Sequence, residues 1–187
     1  MEPIEYDNTY HLFNQGNNRE NIFIESENYR FFMSLFKKHL ADICEVYAYV
    51  LLINHFHFVL RIKDVDEINN SEITCKPAWR YFSNFFNAYA KAYNKSYNRT
   101  GSLFRYKIRR KKVLDEKYLF NLVKYIHFNP QNHSLIDDFR NWQYSSWHAY
   151  TTNKPTLIAK EYILNQFDGI DNFIEHHRFI QDLDDEE

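Results

Sequence analysis

Residues 51–62 read LLINHFHFVLRI, and no other stretch restricts the fold as tightly. Apolar, β-branched and aromatic residues dominate the run, the composition of a strand buried on at least one face. Strand side chains alternate between faces, so His55 and His57 point the same way, with Val59 and Arg61. Phe56, Phe58, Leu60 and Ile62 point the other way, into a core. Two imidazoles about 7 Å apart on one strand face can converge on a single ion. They can equally be hydrogen-bonded histidines of a half-buried core, and the pair alone leaves both readings open.

The neighbouring segments supply the rest of a sheet and its cover. Residues 45–52 (EVYAYVLL) read as a strand, and the short Ile53-Asn54 link pairs it with 55–62 as a hairpin. Residues 9–14 (TYHLFN) read as a first strand. Residues 27–41 carry Phe32, Leu35, Phe36, His39 and Leu40 at helical spacing. A second helix covers about 78–97, with an aromatic face of Phe82, Phe85, Phe86, Tyr89, Tyr93 and Tyr97. Asp115 can cap a third helix over 116–128, with Asn129-Pro130 closing it. Short helices are expected over 144–150, 158–167 and 170–180. Helices mixed with hairpin-paired strands predict an α+β fold, an antiparallel β-sheet with helices packed on it. Residues 1–150 form the principal unit, and 151–187 a helical extension of it ending in the acidic QDLDDEE.

Charge and cysteine usage limit the function classes. Two cysteines, Cys44 and Cys75, exclude a disulfide framework and a structural zinc finger, and suit a reducing compartment. Neither a signal peptide nor a membrane-length apolar run is visible, so a cytoplasmic protein is expected. Residues 105–112 (RYKIRRKK) hold six positive charges in eight positions. Segment 103–111 alternates, with Arg105, Lys107 and Arg109 on one face and Phe104, Tyr106 and Ile108 on the other. Either this is an edge strand blunted by charge, or it faces phosphates together with Arg110.

On the third helix, Leu119, Leu122, Val123 and Ile126 form a buried stripe. At 100° per residue, Tyr118, Tyr125 and Asn129 fall together beside it, at the boundary of core and solvent. A boundary tyrosine can be held by its ring while its hydroxyl reaches a site.

HFH on a strand followed by YIHFNP on a helix resembles the single-tyrosine HUH transposases, the REP-associated tyrosine transposases above all. NQGNNRENIF, YAYVLLINHFHFVL, YAKAYN, RTGSLF, YIHFNP, WQYSSWHAY, ILNQF and NFIEHHRFI are similar to family landmarks, in order, over essentially the whole chain. The sequence departs from the family pattern at Gln15, Ile53 and Ser134, where arginine, proline and glycine are common.

The resemblance implies a ferredoxin-like HUH transposase fold. It also implies a bacterial enzyme that cleaves and rejoins single-stranded DNA, with or without a hairpin, as a homodimer. Tyr125 would be the nucleophile, and His55, His57 and Asn129 the ligands of a divalent metal. Imidazoles by themselves lean towards late transition ions, whereas the resemblance implies Mg²⁺ or Mn²⁺. Arg105, Lys107, Arg109 and Arg110 would bind DNA. The rival expectation is a domesticated single-stranded or hairpin DNA-binding protein that no longer transfers strands.

Overall fold

The hairpin expected over 45–62 forms one half of a four-stranded sheet. The structure, a computed structural model, describes residues 3–68, 76–105 and 108–178. Four strands, β1 (Asn8–Gln15), β2 (Cys44–Leu51), β3 (His55–Ile62) and β4 (Arg109–Lys112), pair in the order β2-β3-β1-β4. Every pairing is antiparallel. Helix α1 (Ser26–Leu40) links β1 to β2, and α2 (Ala78–Ser96) precedes β4. Helix α3 (Glu116–Asn132) follows β4, and then come the short helices α4 (Trp147–Tyr150), α5 (Lys160–Gln166) and α6 (Ile170–His176). This βαββαβ sequence with two central strands, β1 and β3, is the ferredoxin-like arrangement.

Period-2 alternation on β3 decides which face each helix covers. Phe32 of α1 lies 5.3 Å from Phe56, and Phe36 stacks on Phe58 at 4.9 Å between ring centroids. From α2, Phe86 stacks on Phe56 at 5.5 Å. Phe32, Phe36, Phe56 and Phe58 are buried, and each contributes roughly 1.5–3 kcal/mol of transfer free energy. The opposite, histidine-bearing face meets α3, which packs on β2 and β3 through a buried stripe of Leu119, Leu122, Val123 and Ile126. The C-terminal helices close on the far side of α3. There Phe173 stacks on Tyr150 at 4.4 Å, and His127 bonds both His177 (2.9 Å) and Ser146 (2.8 Å). Among the described residues, no helix is long and apolar enough to cross a membrane.

Two boundaries differ from the sequence reading. Helix α3 starts as expected, with Asp115 accepting from the Tyr118 amide at 2.8 Å. It does not close at Asn129-Pro130 but runs to Asn132, with Pro130 in its last turn. The proline removes the one bond that an amide there would donate to the Ile126 carbonyl, and burial of Asn129 and Pro130 holds the turn in place. The chain leaves the helix through Ser134 at φ 53°, the left-handed position that glycine usually fills. Left-handed backbone costs a side-chain-bearing residue about 1–2 kcal/mol, part of which glycine returns through its freer unfolded chain. Ser134→Gly is therefore expected to raise stability by up to about 1 kcal/mol in urea denaturation; a loss would mean the serine makes compensating contacts.

The second difference is β4, which is expected from about residue 103 but covers only Arg109–Lys112. Phe104 instead meets Gly16 in an isolated bridge, and the Arg105 amide donates to the Gln15 carbonyl at 2.9 Å. Lys107, Cys75 and the acidic tail lie outside the described residues.

Candidate active site

Strand register assembles the site. Phe13 lies opposite His57 and Gln15 opposite His55 across the β1–β3 ladder, so all four side chains share one face with His11. The His55 and His57 rings are 5.4 Å apart and nearly perpendicular, at 83°. His57 is buried (1% exposed) and lies in an aromatic slot. Phe13 stacks on it at 5.5 Å and 12°, and Tyr125 meets it edge-on at 5.9 Å and 86°.

Each imidazole has a partner on Nδ1. His55 Nδ1 is 2.7 Å from Asn54 Oδ1, and His57 Nδ1 is 2.9 Å from His11 Nε2. An amide oxygen only accepts, and the Asn54 contact is the shorter of the two that His55 makes to amide oxygens; with the proton on Nδ1, Nε2 presents a lone pair. Burial, and then the neighbouring His133, lowers the His55 pKa to about 4, against the hydrogen bond to Asn129, which raises it. Burial drives His57 well below its ordinary value, with His11, His55 and His133 adding to the effect. Burial, Lys111 and Arg109 bring His11 to about 3. All three rings are therefore neutral at pH 7, the state in which an imidazole can bind a metal.

Helix α3 brings the remaining two groups. Asn129 is fully buried, with Oδ1 at 3.4 Å from His55 Nε2. Its Nδ2 has no hydrogen-bond partner among the described residues. Tyr125, one turn earlier, is expected at the boundary of core and solvent but is buried (8% exposed), because its ring packs on His57. The continuation of the helix through Pro130 keeps Tyr125 and Asn129 on successive turns of one face.

Over the histidines opens a cleft of about 350 Å³, lined by Gln15, Arg19, His55, His57, Arg105 and Arg109 among others. Tyr125 and Asn129 do not line it; they sit against the histidines from the α3 side. Arg109 holds its guanidinium 4.9 Å above the Phe13 ring. Arg110, one residue on, pairs with Leu12 and so faces the other side of the sheet, where it lines a separate groove beside Trp79. Of the four basic residues expected at the site, the structure thus gathers Arg105 and Arg109.

Three cleft or neighbouring residues escape the sequence reading. Arg19 follows Asn18 in a curled loop, both with positive φ (60° and 53°). A Cβ at Gly16 would collide with the Glu20 carbonyl, so this curl requires glycine there. Asn54 ties the loop to the site: its Nδ2 donates to the Arg19 carbonyl at 3.4 Å while its Oδ1 holds His55. His133, just past α3, sets its ring 4.7 Å from His55. His11 is the third. The polar, glycine-bearing NQGNNRE segment is a signal for Arg19; no local pattern marks His11 or His133.

Do these residues fit a divalent metal? Among the described residues, no group of three or more His, Cys, Asp or Glu side chains is gathered to hold one. The donor set is two imidazoles and an amide. Its telling feature is the convergence of His55 Nε2 and Asn129 Oδ1, one from strand and one from helix, to 3.4 Å. Adjacent ligands of an octahedral ion with 2.1 Å bonds are separated by about 3 Å. At 3.4 Å the pair is spaced to share one divalent ion, as adjacent ligands of either an octahedral or a tetrahedral site.

No family model and no curated protein matches the sequence. Among solved structures, the chain is similar to one described as a REP-associated tyrosine transposase bound to a REP hairpin. The TM-score is 0.60 at 18% identity, over 83% of this chain and 86% of that one. The likeness is one of fold: the α+β, antiparallel, helix-covered sheet is the architecture that this chain and that transposase share.

Proposed function

We propose that this protein cleaves and rejoins single-stranded DNA through Tyr125, assisted by a divalent metal, Mg²⁺ or Mn²⁺, on His55, His57 and Asn129. The observation that carries the reading is the convergence of His55 Nε2 and Asn129 Oδ1, one helical turn from a tyrosine packed on the second histidine. A bound divalent ion would supply the positive charge that offsets charge developing on the phosphate oxygens.

The chain's own groups do the rest. The Tyr125 phenol oxygen attacks phosphorus and loses its proton, and the bond to the 3′ oxygen breaks. The products are a 5′-phosphotyrosine and a 3′ hydroxyl, whose oxygen takes up a proton. The bond energy is kept in the new diester, so another 3′ hydroxyl can reverse the step and join strands. Asn54 orients His55, and Phe13 holds the plane of His57. Arg19, Arg105 and Arg109 surround the cleft with positive charge for the backbone phosphates.

The test is to incubate the full chain with labelled single-stranded DNA and Mg²⁺ or Mn²⁺. The expected result is a covalent complex stable to denaturation. Because the similar transposase was solved on a hairpin, strands with an adjoining hairpin are the first substrates to try. A companion expectation concerns affinity. Replacing Arg105 and Arg109 by Gln should weaken binding across sequences and flatten the salt dependence by roughly 0.7 in slope for each phosphate no longer neutralised. An unchanged slope returns both arginines to solubility and sheet-edge protection.

One observation favours a second reading. Tyr125 is buried and does not line the open cleft, which suits a protein that binds single-stranded or hairpin DNA without cutting it. Tight, salt-dependent binding with no covalent product from the unmodified protein would select that reading.

A further inference from the structure

We infer that His11 is a positioning residue for the metal site: its Nε2 accepts the Nδ1 proton of His57 and so keeps the ligand lone pair on His57 Nε2. The inference rests on the proposed role of His57. It adds a residue from another strand that no HxH pattern contains.

Three observations carry it. The two nitrogens are 2.9 Å apart, a full hydrogen bond. His11 is opposite Val59 while Phe13 is opposite His57, so the two histidines are diagonal neighbours on one face of the β1–β3 ladder. Phe13 stacks on both rings, at 27° to His11 and 12° to His57, and so fixes their planes. Both rings are buried, His11 at 8% and His57 at 1% exposure, so solvent is a poor substitute for the acceptor. His57 thus has from His11 what His55 has from Asn54, an acceptor that sets the tautomer. Loss of such an outer partner typically weakens metal binding by 10–100-fold.

The experiment titrates Co²⁺, which prefers imidazole more strongly than Mn²⁺ does, into the full chain by calorimetry. His11→Phe should weaken binding by about 10–100-fold, and His11→Gln, which keeps an acceptor oxygen, should restore most of it. Equal Co²⁺ affinity in wild type and His11→Phe, or a Gln variant as weak as the Phe variant, overturns the inference. Binding that is absent from wild type, or indifferent to His57→Ala, overturns the metal reading itself. Should His11→Phe fail to fold, ¹⁵N-histidine NMR of the Mg²⁺-loaded wild type decides. The expected signature is a proton on His57 Nδ1 with scalar coupling to His11 Nε2, and a proton on His57 Nε2 instead contradicts it.

Discussion

Tyr125→Phe is expected to abolish covalent capture of DNA completely while leaving the protein folded and able to bind the same strand. The ring carries the packing: it meets His57 edge-on at 5.9 Å and is buried against the sheet. Phenylalanine keeps that ring, so the cost is the hydroxyl's hydrogen bonding, about 1 kcal/mol. In a domain of this size that moves the melting temperature by roughly 2–4 °C. The fifteen tyrosines of the chain make the choice of residue testable. Tyr118 is two turns earlier on the same helix, about 10 Å along its axis. It stands under Lys111, whose ammonium is 5.7 Å from the ring centroid. Tyr118→Phe should therefore capture DNA like the unmodified protein. A covalent complex that survives Tyr125→Phe would show that another residue attacks.

What the sequence could and could not disclose follows from the range of the interactions. Alternation in LLINHFHFVLRI is a local property, so the shared face of His55 and His57 and the Phe56/Phe58 core face were both legible. So was the α+β class, since hairpin spacing and helical stripes are also local. Strand register is not. Whether His11 sits beside Val59 or beside Phe56 depends on how β1 slides along β3, and a slip of one residue would turn His11 to the other face. His11 was therefore invisible as a partner of His57. Pro130 misled for a related reason. Its local bias closes a helix, yet burial of Asn129 and Pro130 carries α3 one turn further. The burial of Tyr125 is tertiary too: helical periodicity puts it beside the stripe, and its packing on the His57 ring comes from the fold. The basic run RYKIRRKK signalled charge but not direction. Ladder pairing sends Arg109 to the cleft and Arg110 to the opposite groove.

Replacing both histidines, His55→Ala with His57→Ala, should eliminate divalent-metal binding at this site and metal-dependent capture of DNA. Two of three protein ligands would be gone, and the remaining amide oxygen of Asn129 cannot hold an ion alone. The consequences for the fold differ between the two positions. His55 is half-buried and borders the open cleft, so water can fill the space its ring leaves. His57 is enclosed by Phe13, Tyr125 and His11, and its removal leaves a cavity. By analogy with large-to-small changes in cores, that costs about 2–4 kcal/mol, or roughly 4–16 °C of melting temperature. The double variant is therefore expected to fold with a lower melting temperature. Loss of activity in it could be blamed on that cavity, and His55→Ala alone removes the ambiguity. This single variant should melt within a few degrees of the unmodified protein, yet lose the nitrogen that faces Asn129 and with it metal-dependent capture. Its affinity for single-stranded DNA without metal should be retained, because the cleft arginines are untouched. If His55→Ala captures DNA at the unmodified rate in Mg²⁺ or Mn²⁺, the histidine face is not a metal site, and the two imidazoles belong to the core.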